Sequence, residues 1–271
     1  MCRLVGWVAR VPVTLEQVLG RAAVDRLHHL SQVHADGWGA GWHDEQGALR
    51  VVRSAEPART DERFAEFATG LASRAAVVHL RLGTPGCGYG ESSNHPFVDG
   101  PWALAHNGAI SPGDRMDLLL PPDSDRRPRG ATDTERYFLA LRHELDRTGG
   151  VVPAAVDRVV HRLDEAGLTA SSLNAMLLGP TALHVISWHD ADWRATTIQV
   201  WPADELASGI DPPAYFPMIH RQTEDFAVTV SSGIVSDPGG WTAVPNHAVL
   251  DIDLTSRRTT TTPITSTART H

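Results

Sequence analysis

The amino-acid sequence predicts an α+β domain in which two sheets are covered by helices on their outer faces. Three observations carry this expectation. Strand-like and helical stretches follow one another as strand, helix, strands, helix, strands, two helices, strands, which suits stacked sheets better than a doubly wound parallel fold. Two of the helices open on capping boxes, Thr14-Leu15-Glu16-Gln17 and Thr132-Asp133-Thr134-Glu135. No repeat or proline-rich linker divides residues 1–254, so one domain is expected there, with a disordered tail over 255–271.

Residues 2–10 are rich in strand formers and stop short of Pro12. After the first capping box, Leu15, Val18, Leu19, Ala22, Ala23 and Leu27 recur at helical spacing and predict a helix to about Leu30. The stretch from His34 to Trp42 begins as a glycine-punctuated turn and continues as a strand. Leu49 to Arg53 is its hairpin partner across Asp44-Glu45-Gln46-Gly47. A helix is expected from Asp61 to about Ala72, then a buried strand over 75–82. Residues 83–96 read as irregular. Trp102 to His106 is a strand ending in Asn107-Gly108, and 111–130 is a long polar loop. Tyr137, Phe138, Leu141 and Leu145 give the second capped helix an apolar face, and a further helix covers Pro153 to Ala166. Short strands follow at 173–178, 182–188, 195–201, 226–231 and 247–254. The tail is mostly Thr, Ser and Arg.

Composition narrows the function. A net charge of −8, with no basic stripe, argues against a nucleic-acid surface. No apolar run reaches the roughly 20 residues that span a bilayer, so no membrane partner is expected. Pro12, Glu16 and Gln17 interrupt any signal-peptide core, which makes a cytoplasmic location the expectation. Cys2 and Cys87 form no C-x-x-C pair, and the 14 histidines lack ligand spacing, so neither a metal nor a cofactor is implied.

Candidate chemistry begins at Cys2. Removal of Met1 would leave a thiol and a free α-amine on one residue. The amine, titrating near pH 7.7–8.0, could then serve as general base for its own side chain. Arg81, at the mouth of the buried strand, offers a planar fork for a carboxylate, or pairs with one of the chain's acidic residues. His106-Asn107-Gly108 has the parts of an oxyanion hole, although Asn-Gly is also a common hairpin turn. Asp133 sits in the first turn of a helix that Thr132 and Glu135 already cap, leaving its carboxylate for a substrate ammonium. His95 lines a site or satisfies a loop. A carboxylate beside an ammonium describes the α-carbon end of a free amino acid, so the inferred substrate is a γ-glutamyl amide.

These stretches together resemble the class II glutamine amidotransferases, which belong to the N-terminal-nucleophile hydrolases. The resemblance rests on Met1-Cys2-Arg3, Asp36-Gly37-Trp38-Gly39, Arg81 with Thr84, Asn94-His95-Pro96-Phe97, His106-Asn107-Gly108 and Thr132-Asp133-Thr134-Glu135. All stand in the family's order, and with Leu173-Asn174 and Trp241 to Pro245 they cover about residues 2–254. The resemblance implies a four-layer αββα sandwich with Cys2 as nucleophile and Asn107 and Gly108 stabilising the oxyanion. Arg81 and Thr84 would hold the substrate α-carboxylate, and Asp133 its α-ammonium. Asp36, Gly37, Trp38 and His95 would support them. It further implies a thioester on Cys2 that water hydrolyses to glutamate.

Two positions depart from the large members. His34 stands where they have an arginine, and Leu82 where an aromatic follows the substrate arginine. The loop over Cys2 is therefore expected to differ. No synthase or phosphoribosyl-transfer domain is present, which points to the short branch that includes the ergothioneine-pathway γ-glutamyl amidohydrolase. Trp7, Trp38 and Trp42 either pack a leaving group larger than ammonia or fill the core. The alternatives are a glutaminase subunit passing ammonia to a separate synthetase, or a catalytically degenerate binding protein. The oligomeric state is not legible in the sequence.

Overall fold

The computed structural model describes residues 2–83, 88–190 and 215–266. The chain starts with β1 (Arg3–Val13), then α1 (Leu15–Leu19), α2 (Arg21–Leu30), β2 (Trp38–His43), β3 (Leu49–Ser54), α3 (Glu62–Gly70) and β4 (Ser73–Leu80). The middle holds β5 (Phe97–Asp99), β6 (Trp102–Asn107), β7 (Ile110–Ser111), α4 (Asp133–Arg147) and α5 (Val152–Ala166). Among the described residues of the last part every element is a strand: β8 (Thr169–Ala170), β9 (Asn174–Leu178), β10 (Ala182–Ser187), β11 (Met218–Gln222), β12 (Phe226–Ser231), β13 (Thr242–Ala243), β14 (Ala248–Asp253) and β15 (Thr259–Pro263).

Two large antiparallel sheets and a small β7–β8 pair result. The first has the order β13-β11-β12-β1-β4-β2-β3 and the second β15-β14-β10-β9-β6-β5. β1 is central in the first, held by β12 on one side and β4 on the other. Its side chains alternate. Val5, Trp7 and Ala9 pack with Leu15, Val24, Leu27, Phe64 and Phe67 of the first three helices, whereas Leu4 and Val8 join Met176, Leu178 and Val185 of the second sheet. A third apolar cluster joins the second sheet, through Leu104, Leu177 and Val249, to Tyr137, Leu141, Val156 and Val160 of α4 and α5. Among the described residues no helix is long and apolar enough to cross a membrane.

Several expectations change. The strand through residues 2–10 continues past Pro12, because its pairing with β4 shifts register between Val8 and Val13. Residues 10–12 are exposed there, so the missing proline N–H costs no ladder bond. The helix expected to run unbroken to Leu30 is split at Gly20, whose φ of 85° no helical residue adopts. The polar loop over 111–130 contains β7 and a 3-10 segment at Gly113–Leu119, whose Met116 and Leu119 are buried. The expected disordered tail instead supplies β15, paired along β14 from Thr259↔Ile252 to Pro263↔Ala248. The run expected at 195–201 lies outside the described residues.

Candidate active site

Cys2 stands at the start of the central strand and is only 7% exposed. Its backbone nitrogen donates to Oδ1 of Asn107 at 2.8 Å, across 105 residues of sequence. Its sulfur lies 3.7 Å from the Leu82 carbonyl oxygen. Burial pushes the thiol above its ordinary range. The positive N-terminus, the Leu82 contact and Arg81 act against this, while Asp133 adds to it.

The end of β6 faces Cys2. Asn107 and Gly108 do not form a hairpin turn, because β6 pairs with β5 and β9 while β7 pairs with β8. The Asn107 Oδ1 holds the Cys2 nitrogen, and its buried Nδ2 has no hydrogen-bond partner among the described residues. A buried amide N–H₂ without an acceptor costs free energy in the resting protein, and an oxyanion would relieve it. Gly108 lines the same pocket, and a Cβ there would come within 2.0 Å of the Ser172 carbonyl oxygen. Only glycine fits.

Arg81 follows β4 directly and is 3% exposed. Its Nη2 donates to the Gly88 carbonyl at 2.8 Å, while Nη1 is buried without a partner among the described residues. The expected alternative, an ion pair, is not formed with any described carboxylate. Asp36 braces this corner: its backbone N–H donates to the Arg81 carbonyl and its Oδ2 accepts from Gly83 N–H at 2.7 Å. Gly37, at φ 115°, accepts from Arg81 N–H at 2.9 Å, and a side chain there would collide with Asn94 and the Ser54 carbonyl. Asp36 and Gly37 therefore shape the turn that aims Arg81. Thr84 and Cys87 lie outside the described residues.

Asp133 lines the pocket from the first turn of α4, but its carboxylate is not idle. Oδ2 accepts from Ile110 N–H at 3.0 Å and Oδ1 from Thr134 N–H at 2.8 Å. The Thr132–Glu135 capping box is half formed. Thr132 caps Glu135 N–H at 3.3 Å, whereas the Glu135 carboxylate accepts from the Arg129 and Gly130 amides instead of reaching back. His95 is buried and lines the pocket, its ring 4.0 Å from that of His79, and its Nδ1 accepts from His106 N–H at 3.3 Å. Burial first, and the Arg81 guanidinium and neighbouring imidazoles after it, hold His79 and His95 well below the ordinary imidazole range.

Trp38 does not line the pocket. It is fully buried in the outer core against Phe64, with Nε1 donating to Asp61 Oδ2 at 3.0 Å. Trp7 is buried in that same core and Trp42 packs on it, so these tryptophans fill the fold rather than holding a leaving group. Tyr215, by contrast, was not singled out. It is buried, donates to the Cys2 carbonyl at 3.3 Å and lies under the Arg3 guanidinium. It follows a Pro-Pro pair and sits in no motif, so the sequence offers no signal for it. Two larger clefts, of about 500 and 460 Å³, lie along α4–α5 and beside β5, and neither is lined by a cysteine.

The geometry thus gathers Cys2, Asn107, Gly108, Arg81 and Asp133 around one pocket. Residues 1–180 match the family described as glutamine amidotransferases class-II. The chain belongs to the class II glutamine amidotransferases. Among curated members, it is 35% identical over 260 residues to the gamma-glutamyl-hercynylcysteine sulfoxide hydrolase of Mycolicibacterium smegmatis, covering 93% of this chain and 96% of that one. It is 22% identical to the probable glutamine amidotransferase DUG3 of Saccharomyces cerevisiae, over 93% and 82% of the two chains. Among solved amidotransferase folds, a class II domain protein from Silicibacter pomeroyi superposes with a TM-score of 0.63 at 17% identity, covering 97% of this chain and 99% of that one. The glutamine phosphoribosylpyrophosphate amidotransferase of B. subtilis does so at 0.60 and 16% identity, with 98% of this chain on 50% of that one.

Proposed function

We propose that this chain is a γ-glutamyl amidohydrolase that splits the amide bond of a γ-glutamyl conjugate through a thioester on Cys2 and releases glutamate. The carrying observation is Asn107, whose one amide group holds the Cys2 nitrogen and leaves its Nδ2 buried without an acceptor among the described residues. The architecture is read as a four-layer αββα sandwich of the N-terminal-nucleophile type, and the enzyme is taken to be cytoplasmic.

Once Met1 is removed, the Cys2 nitrogen becomes a primary amine. One of its N–H bonds goes to Asn107, which leaves the lone pair for the thiol proton. The thiolate attacks the γ-carbonyl. Asn107 Nδ2 and the Gly108 N–H meet the negative charge on oxygen, and the ammonium returns its proton to the leaving amine. Water, deprotonated by the same amine, then cleaves the thioester. Arg81 Nη1 takes the α-carboxylate, which suits a buried guanidinium edge with no other described acceptor. Asp133 takes the α-ammonium. A conjugate rather than glutamine is favoured by the likeness to the M. smegmatis hydrolase over nearly the whole chain.

The test compares glutamate release from free glutamine and from γ-glutamyl conjugates by wild-type protein and Cys2→Ala, with intact mass read on both. The expected result is a wild-type chain lacking Met1 that prefers conjugates, and an inactive variant. Strong glutamine turnover only beside a synthetase would point to an ammonia-supplying subunit. Full activity in Cys2→Ala, or in protein retaining Met1, would overturn the mechanism.

A further inference from the structure

His106 has no part in the chemistry above, yet it is buried with both ring nitrogens engaged. Nε2 lies 3.0 Å from the Ser172 carbonyl oxygen, an atom that can only accept, so this nitrogen carries the hydrogen. Nδ1 lies 2.9 Å from Thr134 Oγ, and in the neutral ring with its hydrogen on Nε2 it is the acceptor there. Thr134 Oγ is also 3.4 Å from Asp133 Oδ1, but its one proton goes to the nearer partner.

Each side of the ring thus serves a different half of the pocket. Through Nε2, His106 holds the Ser172 carbonyl, the group against which Gly108 is packed too tightly to admit a Cβ. Through Nδ1 it fixes the Thr134 side chain, and the Thr134 backbone N–H in turn holds the Asp133 carboxylate at 2.8 Å. We propose that His106 is a positioning residue that couples the oxyanion donors to the ammonium-binding Asp133, and that it does so as the neutral Nε2–H tautomer. This rests on the hydrolase reading of the site.

Neutrality has a physical basis. Burial pushes the imidazole below its ordinary range, against the pull of Asp133 and of the Ser172 carbonyl. The other titratable groups around it are His79, His95 and Tyr137, whose ring meets it edge-on at 5.2 Å. An imidazolium at this position would compete with the substrate ammonium for Asp133.

Two conservative variants separate the two contacts. Gln in place of His106 extends an amide N–H₂ to the Nε2 position, and Asn presents an amide oxygen at the Nδ1 position. His106→Gln is expected to keep kcat within a few-fold and raise KM roughly 3- to 10-fold, the size of one lost hydrogen bond. His106→Asn is expected to keep KM and lower kcat by about 10-fold or more. Independently of turnover, ¹⁵N spectra of the wild-type protein should show the His106 hydrogen on Nε2 alone. Parallel losses in kcat and KM for both variants would overturn the proposal. So would a hydrogen on Nδ1, or on both nitrogens, in protein that turns over normally. A wild-type chain that cleaves no γ-glutamyl amide overturns the hydrolase reading itself.

Discussion

On the proposed mechanism Asn107 carries two duties on one side-chain amide, and that makes it the point at which the mechanism is most easily tested. Asn107→Ala removes the acceptor of the Cys2 nitrogen and the Nδ2, unpartnered among the described residues, that is proposed to meet the oxyanion. The expected result is a kcat lower by about 10²–10³ with KM within a few-fold, read from steady-state glutamate release. A matching rise in KM with kcat unchanged would move Asn107 from the reacting centre to substrate binding. The burial that raises the Cys2 thiol also bears on this residue. A thiol titrating above its ordinary range is mostly protonated at neutral pH, which is why a neighbouring base is needed at all. Of the residues named from the sequence, those with a chemical reason to be where they are came together: Cys2, Arg81, Asn107, Gly108 and Asp133 line or face one pocket. Trp38 did not, because a large apolar ring near a glycine-rich turn reads the same whether it faces a ligand or the core.

Helix α3 shows how capping and packing are joined in one residue. Asp61 caps Arg63 N–H at 3.0 Å, takes Trp38 Nε1 at 3.0 Å, and accepts a very short bond from Ser54 Oγ. Burial alone would raise this carboxyl. Hydrogen bonds from Arg63, Ser54 and Trp38 outweigh it and hold Asp61 well below the ordinary carboxylate range. A depressed folded pKa means stability that is present above the unfolded value of about 3.9 and lost as pH falls through the folded one. Asp61→Asn is therefore expected to destabilise the protein by about 1–3 kcal/mol at pH 7, with the difference shrinking below about pH 4. Denaturant titrations of both proteins at pH 7 and pH 3 check this, and an equal gap at the two values would refute it. Apolar periodicity located β4, β12 and α4 well, since their buried faces are dense in Val, Ala, Phe and Leu. It missed β11, a mostly half-buried strand reading Met-Ile-His-Arg-Gln, and it ran straight through Gly20 because Val18, Leu19, Ala22 and Ala23 continue the pattern on either side.

The two sheets and their helical covers are closed at one edge by the segment that composition alone would leave unfolded. Four consecutive threonines carry little apolar surface, but β-branching suits them to an edge strand, and pairing with β14 supplies their hydrogen bonds. Ile264 is buried in the α4–α5 cluster, and Asp157 of α5 accepts from the Thr265 and Ser266 amides at 2.8 Å each. Truncation after Leu254 is expected to cost about 2–5 kcal/mol, the range for deleting a large buried aliphatic group, and to lower Tm by several degrees. An unchanged melting curve would show that β15 contributes nothing to the fold.

The place of β1 also sets an order of events. It is made before both of its neighbours, since β4 and β12 start roughly 70 and 220 positions later in the sequence. Until β12 arrives the strand has an open side. Afterwards Cys2 is 7% exposed and its nitrogen is bonded inward to Asn107. On the proposed mechanism, an aminopeptidase that frees the Cys2 amine would therefore act on the growing chain. Protein refolded with Met1 in place should resist trimming by added methionine aminopeptidase, while the same chain in denaturant-weakened form should be trimmed, and intact mass would tell them apart. On the proposed mechanism, release of the Cys2 amine would in this sense be timed by the sequence separation of β1 and β12.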